Sequence, residues 1–453
     1  MSNTAFENFF QEVKRIGFFG LGKSNLSIIR RLPKNLEIIL RSERKISRSD
    51  IPKGVKISKI YEENRAFSDF SEEILVLSPS VRRERREFDE ARKKGVRFSS
   101  DFEFFLKENK RKILAVSGSD GKSTTVTLTS ALLSDKRHKN TPLGNIGTPF
   151  CYELWRKRGY AVLELSSFQL TYDIPRSKRA ALTNITENHL DWHKDFEEYK
   201  NVKLSLLENA EEAVINADDP ILRDFASGKE IFAVTSTERG FKSLAAEFKA
   251  ELFLTAEGGK ILRNGVPILS LAEIKRREEH NIKNLLSALA LTDKLIPEEN
   301  IRKVVREFSG LAHRCEFFLE ADGIKYINSS IDTSPARTAA TLASLSSPLI
   351  VILGGRGKGV GYGEIRNSLK KARLAILCGE NREEIARDIK GCVDIVSADN
   401  FEDAVLYGAS VAKPGDSVVL SPASTSYDSF KSFEERGEKF KEIIIDFYKN
   451  RQK

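Results

Sequence analysis

One stretch of this sequence decides its fold, and it reads Ala115-Val116-Ser117-Gly118-Ser119-Asp120-Gly121-Lys122-Ser123-Thr124-Thr125. The apolar residues that lead into it predict a strand, its glycines predict a tight turn, and a helix is predicted to begin at the lysine. Glycines let backbone N–H groups approach phosphate oxygens, the lysine supplies a positive charge, and the helix N-terminus adds its dipole. The hydroxyl of Ser123 is a candidate Mg²⁺ ligand. The stretch therefore predicts a site for the phosphates of a nucleotide.

This phosphate loop departs from the standard P-loop motif. That motif has its first glycine where this chain has Val116. An ordinary strand–turn–helix without a ligand is the alternative that this segment alone leaves open.

The rest of the chain alternates apolar strands with helices, and 453 residues exceed what one hydrophobic core contains. We predict an α/β protein of three domains with parallel sheets and right-handed crossovers. These are a Rossmann-like N-terminal domain over residues 1–109, a central P-loop ATPase-type domain over residues 110–297 and a C-terminal Rossmann-like α/β domain over residues 298–453. The last helix is predicted to begin near Ser429.

The first predicted strand, Arg15–Phe19, is followed by Gly20-Leu21-Gly22. A Gly-x-Gly turn is a weak signal, because it occurs both in dinucleotide-binding sites and where a strand and a helix pack closely. Asn25 replaces the usual third glycine, so both interpretations stay open at this point.

Charge and hydropathy exclude several classes of protein. The formal net charge is +9, but Lys and Arg alternate with Glu along the chain, which indicates a solvated surface with ion pairs and no nucleic-acid groove. The N-terminus has acidic residues and no continuous apolar run, so we expect no signal peptide. No apolar segment approaches the roughly 20 residues that cross a bilayer. We expect a cytoplasmic protein without membrane insertion.

Three segments downstream of the phosphate loop carry candidate catalytic side chains. Glu164 ends an apolar strand, where a carboxylate costs free energy unless a cation such as Mg²⁺ compensates it; the alternative is a solvent-facing glutamate. His189 and His193 share one polar loop, where they are either functional or structural. Lys203 lies in a predicted helix, where a solvated lysine is the ordinary interpretation.

Taken together, these segments resemble the Mur ligase family over nearly the whole chain. The matching segments are Gly118–Thr125, Gly144–Gly147, Glu164–Leu170, Asn184–His193, Lys203, His280–Asn284, Gly310–Glu316, Leu353–Lys358 and Leu420–Ser424. Gly20–Ser27 and the ending Ser424–Gly437 look like the D-glutamate-adding branch. The resemblance implies ATP-dependent joining of a D-amino acid to UDP-N-acetylmuramoyl-L-alanine through an acyl phosphate, by an enzyme that we expect to be a monomer.

The resemblance also implies a role for each matching residue. Lys122 would contact the γ-phosphate, while Ser123 and Glu164 would hold one Mg²⁺. His189 would contribute to a second Mg²⁺ site, and Lys203 would carry a carbamate that serves as a metal ligand. The implied nucleotide-binding residues are Gly118, Ser119, Asp120, Gly121, Lys122, Ser123, Thr124, Asn281, Asn284 and Arg314. The implied UDP-sugar-binding residues are Lys23, Ser24, Asn145, Ser166 and Gln169, and the implied acceptor-binding residues are Thr333, Lys358, Ser426 and Phe433.

Three positions depart from the family pattern near the expected acceptor site. Ser329 replaces an expected acid, Ile331 an expected lysine and Arg356 a common aspartate, while Asp332 is a candidate substitute for the missing acid. A relaxed acceptor pocket that also admits a basic amino acid is one interpretation. Sequence drift with D-glutamate retained is the other.

Other functions compete with this interpretation. A folylpolyglutamate synthase shares the phosphate loop but has no Rossmann-like domain before it. The L-alanine-adding Mur ligase begins in a related way, but the C-terminal segment argues against it. A P-loop ATPase that switches on nucleotide binding and binds a protein or nucleic acid would need no UDP-sugar domain.

Overall fold

The computed structural model describes residues 13–451, apart from residues 49, 136–138, 155, 191, 347, 358 and 360. It divides into two compact units, Met1–Phe308 and Ser309–Lys453. The first unit contains two sheets and the second contains one. Across the described residues, none of the helices is both long and apolar enough to span a bilayer. The predicted α/β fold class is confirmed, while the predicted domain bounds at residues 109 and 297 stay a prediction.

The first sheet of the first unit follows the chain from residue 15 to residue 108. Its strands are β1 (Arg15–Phe19), β2 (Glu37–Ser42), β3 (Ile57–Glu62), β4 (Ile74–Leu77) and β5 (Arg97–Ser99), and its helices are α1 (Lys23–Ile29), α2 (Asp89–Lys93) and α3 (Asp101–Glu108). All five strands are parallel, in the order β3-β2-β1-β4-β5. The central position of β1 explains its continuous apolar run, because a central parallel strand is buried on both faces.

The second sheet of the first unit contains the phosphate loop. Its strands are β6 (Lys112–Ser117), β7 (Leu143–Gly144), β8 (Tyr160–Glu164), β9 (Ser177–Leu182), β10 (Ala210–Asn216), β11 (Glu230–Ser236), β12 (Lys249–Glu257), β13 (Lys260–Arg263) and β14 (Val266–Ser270). Its helices are α4 (Lys122–Leu132), α5 (Ser167–Leu170), α6 (Phe196–Glu208), α7 (Pro220–Ala226), α8 (Phe241–Glu247), α9 (Glu279–Thr292) and α10 (Glu298–Glu307). The order is β14-β13-β12-β11-β10-β9-β6-β8-β7.

Strands β6, β8 and β9 are neighbours and parallel, with β6 in the middle. Their carboxyl ends therefore meet at one edge of the sheet, which is where ligands bind in open α/β sheets. Only the far side of this sheet is antiparallel, where β12, β13 and β14 form hairpins.

The sheet of the second unit has strands β15 (Glu316–Ala321), β16 (Ile324–Asn328), β17 (Leu349–Gly354), β18 (Ala372–Cys378), β19 (Ile395–Ser397) and β20 (Ser417–Leu420). Its helices are α11 (Pro335–Ser344), α12 (Arg366–Leu369), α13 (Arg382–Asp388), α14 (Phe401–Val411) and α15 (Phe433–Arg451). The order is β15-β16-β20-β17-β18-β19, and only β15 is antiparallel. Along β17, Ile350 and Ile352 pack into one buried cluster, while Leu349, Val351 and Leu353 pack into another.

The start of the last helix corrects the sequence-based prediction. Helix α15 begins at Phe433 and not near Ser429, which lies in a turn. The N–H groups of Ser429 and Phe430 donate to the Ser426 carbonyl, at 3.2 and 2.8 Å. The Ser432 hydroxyl then accepts from the N–H of Glu435, at 3.3 Å. A serine hydroxyl in this position satisfies one of the unpaired amides of the first helical turn, so the helix begins after it.

Candidate active site

The phosphate loop adopts the strand–turn–helix that the sequence predicts. Strand β6 ends at Ser117 and helix α4 begins at Lys122. Gly118 and Gly121 both have positive φ, at 138° and 78°. A Cβ atom on Gly118 would lie 2.0 Å from Thr183 Oγ1, and one on Gly121 would lie 2.2 Å from Asn284 Oδ1. Both positions therefore require glycine for conformation and for space.

The loop following β9 determines the shape of the phosphate loop. Asn184 Oδ1 accepts from the N–H groups of Ser119 and Asp120, at 3.2 and 2.8 Å. The Ser119 hydroxyl, which is buried, lies 2.9 Å from both the Thr186 carbonyl and the Tyr199 hydroxyl. A phosphate that binds through those two amides must displace the Asn184 side chain. Sequence reasoning assigned no role to Asn184, although its position directly after a strand next to β6 was the available signal.

Lys122 is folded back over this loop. Its Nζ donates to the carbonyls of Gly118 and Ser119, at 2.8 and 2.6 Å. The positive charge is thus held at the loop, in the first turn of the 11-residue helix α4. Ser123 follows it with a buried hydroxyl, and Thr124 is half-buried in the same turn.

Glu164 lies at the end of β8, in register with Val116 of β6. Its side chain is buried, which excludes the interpretation of a solvent-facing glutamate. Within the described part of the chain, no group of three His, Cys, Asp or Glu side chains could hold a metal ion. Mg²⁺ prefers one or two carboxylates with phosphate oxygens and water. The buried carboxylate and the Ser123 hydroxyl, both beside the phosphate loop, fit that requirement.

Lys203 of helix α6 is also buried, which excludes the interpretation of a solvated helical lysine. Its Nζ donates to the Gly118 carbonyl at 2.8 Å and to the Ser117 hydroxyl at 3.3 Å. It lies 4.8 Å from the centre of the Tyr199 ring. Burial lowers the pKa of Lys203 well below its ordinary value, and the charge of Lys122 lowers it further.

The two histidines of the loop after β9 lie in different environments. His189 is exposed and has a φ of 55°, and its N–H donates to Asn188 Oδ1 at 2.9 Å. His193 is buried, and its Nδ1 lies 3.7 Å from Glu198 Oε2. The Phe168 ring contacts both imidazoles, with centroids 4.9 Å from His189 and 6.2 Å from His193.

The two predicted asparagines on α9 are both buried, and one touches the phosphate loop. Asn284 Oδ1 accepts from the Thr125 hydroxyl at 3.3 Å and lies against Gly121. Asn281 Nδ2 donates to Glu278 Oε2 at 2.9 Å.

The predicted UDP-sugar residues belong to the first unit. Lys23 and Ser24 open α1, and Asn145 is exposed after β7. Ser166 and Gln169 form a capping box at the start of α5, in which Gln169 Oε1 accepts from the Ser166 N–H at 2.8 Å. This capping is a structural role that the resemblance did not predict.

A pocket lies between the first and second sheets. Its lining includes Ser78, Arg83, Asp101, Phe168, Gln169 and Tyr172. Asp101 is buried there, and burial raises its pKa to about 6.

In the second unit, three of the four predicted acceptor residues lie near the carboxyl edge of the sheet. Ser426 is buried in the loop after β20, and Thr333 is half-buried in the loop after β16. The Phe433 carbonyl accepts from the Ser330 hydroxyl at 2.8 Å. Arg314 is exposed just before β15. Lys358 lies outside the described residues.

Buried Arg436 connects these loops. Its guanidinium donates to the Ser330 hydroxyl and carbonyl, at 3.0 and 2.9 Å, and to the carbonyls of Ser424 and Thr425, at 3.1 and 3.2 Å. Sequence reasoning did not single out this arginine.

The positions that depart from the family pattern lie at the same edge. Asp332 is buried, and its Oδ2 accepts from the Ser421 hydroxyl at 2.7 Å. Its N–H donates to the Ser329 carbonyl at 3.0 Å, so the two positions are adjacent. Burial raises the pKa of Asp332. Arg356 is half-exposed and pairs with Glu380.

Comparison with known proteins decides the family. A model of the Mur ligase middle domain matches residues 116–292, and a model of the Mur ligase glutamate ligase domain matches residues 313–424. The chain belongs to the Mur ligase family. The first matched segment contains Glu164, Lys203 and the phosphate loop from Val116 onward. The second contains all six strands of the sheet of the second unit. The family assignment made from the sequence is confirmed.

Relatives within the Mur ligase family match nearly the full length. Two are named UDP-N-acetylmuramoylalanine–D-glutamate ligase, from Clostridium botulinum strain 657 and from Clostridium perfringens strain 13. Each is 33% identical and covers 96% of this chain and 97% of its own. A crystal structure of a UDP-N-acetylmuramate–alanine ligase from Thermotoga maritima has a TM-score of 0.60 at 16% identity, covering 96% of this chain and 100% of its own. A pseudomurein peptide ligase type C from Methanothermus fervidus has a TM-score of 0.52 at 18% identity, covering 96% and 99%. These two structures support the fold alone.

Proposed function

We propose that this chain is an ATP-dependent ligase that joins D-glutamate to UDP-N-acetylmuramoyl-L-alanine and releases ADP and phosphate. The observation that carries the proposal is the convergence of Lys122 and Lys203 on the Gly118 carbonyl. A phosphate loop uses one lysine for the phosphates. The second lysine is buried, and its lowered pKa suits chemistry other than pairing with a phosphate. The full-length relatives named above support the choice of substrates.

The proposed reaction has two steps. An oxygen of the L-alanyl carboxylate attacks the γ-phosphorus of ATP, and the bond to ADP breaks, which leaves an acyl phosphate. The amine of D-glutamate then attacks the acyl carbon, a proton is lost from nitrogen, and phosphate leaves as the amide forms. Catalysis consists mainly of positioning and charge neutralisation.

The residues of the first unit provide that neutralisation. Lys122 would neutralise the γ-phosphate, and Ser123 with Glu164 would hold Mg²⁺, which when bound offsets phosphate charge. His189 would complete a second Mg²⁺ site near the acyl phosphate. We assign Asn281, Asn284 and Arg314 to the nucleotide, and Lys23, Ser24, Asn145, Ser166 and Gln169 to the UDP-sugar.

Lys203 is proposed to carry a carbamate. A neutral amine adds to CO₂ with formation of an N–C bond and release of one proton. Burial lowers the pKa of the Lys203 amine, which favours the neutral form that reacts. The carbamate would turn a cation beside the phosphate loop into an oxygen ligand for the metal. We place the enzyme in the cytoplasm as a monomer.

The acceptor is proposed to bind at the carboxyl edge of the third sheet, through Thr333, Lys358, Ser426 and the backbone of Phe433. D-Glutamate is the primary acceptor. The loss of the expected lysine at Ile331 removes a cation from the pocket, and we include a basic D-amino acid as a second acceptor class.

The test is phosphate release with ATP, Mg²⁺ and UDP-N-acetylmuramoyl-L-alanine against D- and L-amino acids that include D-glutamate and D-lysine. Release that requires both the nucleotide sugar and D-glutamate supports the proposal, and additional release with D-lysine supports the second acceptor class. Glu164→Gln should abolish release, while Glu251→Gln, an exposed glutamate on β12, should not change it. Release with UDP-N-acetylmuramate and L-alanine, with a folate substrate, or without any acceptor would contradict the proposal.

A further inference from the structure

Two loops from different sheets of the first unit meet at Trp192. One follows β4 and contains Ser80 and Arg82, and the other follows β9 and contains His189. Trp192 Nε1 donates to the Ser80 carbonyl at 3.2 Å. The Arg82 guanidinium carbon lies 4.7 Å from the centre of the Trp192 ring. The tryptophan is buried in this contact.

Neighbouring residues strengthen the same contact. Arg82 Nη2 lies 4.0 Å from Glu198 Oε2, on α6 of the second sheet. Arg83 pairs with Asp173 at 3.2 Å, and its guanidinium carbon lies 4.3 Å from the centre of the Tyr172 ring. The Tyr172 hydroxyl accepts from the Arg83 N–H at 2.9 Å. Polar and cation–π contacts thus join the loop after β4 to the second sheet.

Trp192 is connected to His189 through both backbone and side chains. The Trp192 N–H donates to the His189 carbonyl at 3.0 Å. The Phe168 ring lies between them, with centroids 4.7 Å from Trp192 and 4.9 Å from His189. His189 has a left-handed φ of 55°, a conformation that surrounding contacts must maintain in a residue with a side chain.

Phe168 also lines the pocket between the first and second sheets, together with Ser78 and Arg83 of the loop after β4. A ligand in this pocket therefore contacts the same aromatic ring and the same loop that hold Trp192. The contacts that a ligand in the pocket would make are therefore linked, through Phe168 and Trp192, to the position of His189.

We propose that Trp192 is a positioning residue that transmits occupancy of the pocket between the two sheets to His189. The inference rests on the proposed function in two respects, which are the assignment of His189 to the catalytic site and the binding of the nucleotide sugar in this pocket. Under this inference, contacts from the loop after β4 position the His189 imidazole when the nucleotide sugar is bound. The imidazole is then in place only when a substrate is present.

The first experiment observes Trp192 directly, without turnover. The chain has two tryptophans, so Trp155→Phe leaves Trp192 as the one fluorophore of its kind. UDP-N-acetylmuramoyl-L-alanine, added without ATP, should change the emission of this variant saturably. The Trp192→Phe variant, which retains Trp155, should show no such change. An unchanged Trp192 emission at concentrations of the nucleotide sugar that saturate binding by calorimetry would overturn the proposal.

The second experiment separates positioning from stability. Trp192→Phe keeps an aromatic ring against Phe168 but loses the hydrogen bond to Ser80. Arg82→Gln removes the cation over Trp192. Each should raise KM for the nucleotide sugar and the Mg²⁺ concentration for half-maximal activity by about three- to ten-fold, the usual effect of one lost polar contact. KM for ATP should change by less than about two-fold.

Arg85→Gln is the matched control, because Arg85 lies in the same loop but pairs with Glu43 and Glu87 of the first sheet. It should leave these constants unchanged. Equal effects from Arg82→Gln and Arg85→Gln, or a lower Tm in Trp192→Phe without a change in KM, would overturn the proposal. If the parent protein binds the nucleotide sugar with a Trp192 signal but makes no amide, the proposed function fails while the coupling stands.

Discussion

Lys122 and Lys203 share one acceptor, since the Nζ of each lies 2.8 Å from the Gly118 carbonyl oxygen. Two ammonium groups that share a carbonyl repel each other, and Lys203 is also removed from water. Both effects lower the pKa of Lys203, and burial is the larger of the two. The two lysines differ in burial, which fits the separate roles proposed for them, phosphate binding by Lys122 and reaction with CO₂ by Lys203.

The first prediction concerns the Lys203 amine. Lys203→Met keeps the length and the apolar stem but has no amine, so turnover should fall by about 100-fold or more, as for the loss of one group that stabilises a transition state. Lys200→Met, on a more exposed face of the same helix, should leave turnover unchanged. Lys203→Ala should regain part of its turnover when a small carboxylate such as acetate is added. Full activity of Lys203→Met would exclude a chemical role.

The second prediction concerns the glycines of the phosphate loop. Gly121→Ala places Cβ 2.2 Å from Asn284 Oδ1 at a φ of 78° and should lower the free energy of unfolding by about 2 to 4 kcal/mol, with loss of ATP binding. Gly228→Ala is the matched control, because its φ is 73° and no atom lies within 4 Å of the added Cβ. Gly228→Ala should lower the free energy of unfolding by about 1 kcal/mol, which is the backbone contribution alone. Urea denaturation gives both values, and equal losses would mean that the contact with Asn284 adds nothing.

Much of the fold could be predicted because its determinants are local. The apolar run Arg15–Phe19 forms β1, and the loop glycines and lysine place the start of α4, because strand pattern and turn chemistry lie within a few residues of each other. The environment of Arg41, by contrast, could not be predicted from its sequence neighbours. Its side chain is buried in an ion pair with Glu72, which lies 31 positions further along the chain.

The candidate site was predictable to a similar extent. Lys122 could be selected from the phosphate-loop motif, and Glu164 and Lys203 from the family resemblance. The burial of Glu164 and Lys203, and the Gly118 carbonyl that Lys122 and Lys203 share, depend on contacts between distant segments. The hydrogen bonds from the phosphate loop to Asn184 cross more than sixty positions. Ser166 and Gln169 were selected as ligands, and the capping box that they form is a structural role, which their spacing of three positions alone does not distinguish from binding.

The third prediction concerns pH and Asp101. Its folded pKa of about 6 exceeds the ordinary value of 3.8, so the folded state binds the extra proton between these values and loses stability as pH rises through them. Asp101→Asn cannot titrate and should remove this loss. The difference in unfolding free energy, variant minus parent, should therefore rise by about 3 kcal/mol from pH 3.5 to pH 7.5. Urea denaturation at both pH values measures the gain, and a difference independent of pH would show that the Asp101 pKa is ordinary.

A charge pair lies at the proposed acceptor site, and a substitution can reverse the charge of one member. Arg356 exchanges backbone hydrogen bonds with Thr425, at 3.0 and 3.1 Å, so it is fixed one residue from Ser426. Its guanidinium donates to both carboxylate oxygens of Glu380, at 3.0 and 2.9 Å. Both side chains are about half-exposed, at 51% and 53%, so the pair is accessible to an acceptor side chain.

The fourth prediction reverses this charge. Arg356→Asp places a second carboxylate near Glu380, so an anionic acceptor should be repelled and a cationic one attracted. KM for D-glutamate should rise by about five- to ten-fold, KM for D-lysine should fall, and KM for the nucleotide sugar should stay constant, because a solvent-accessible charge acts only modestly and only on a nearby charged group. Lys439→Asp makes the same charge change on α15, where Lys439 pairs with Glu442, and should alter neither amino-acid constant. Steady-state kinetics with each amino acid in turn provides the measurement. Equal shifts for D-glutamate and D-lysine would show that Arg356 acts on loop structure, and the acceptor side chain would then have to bind away from this pair.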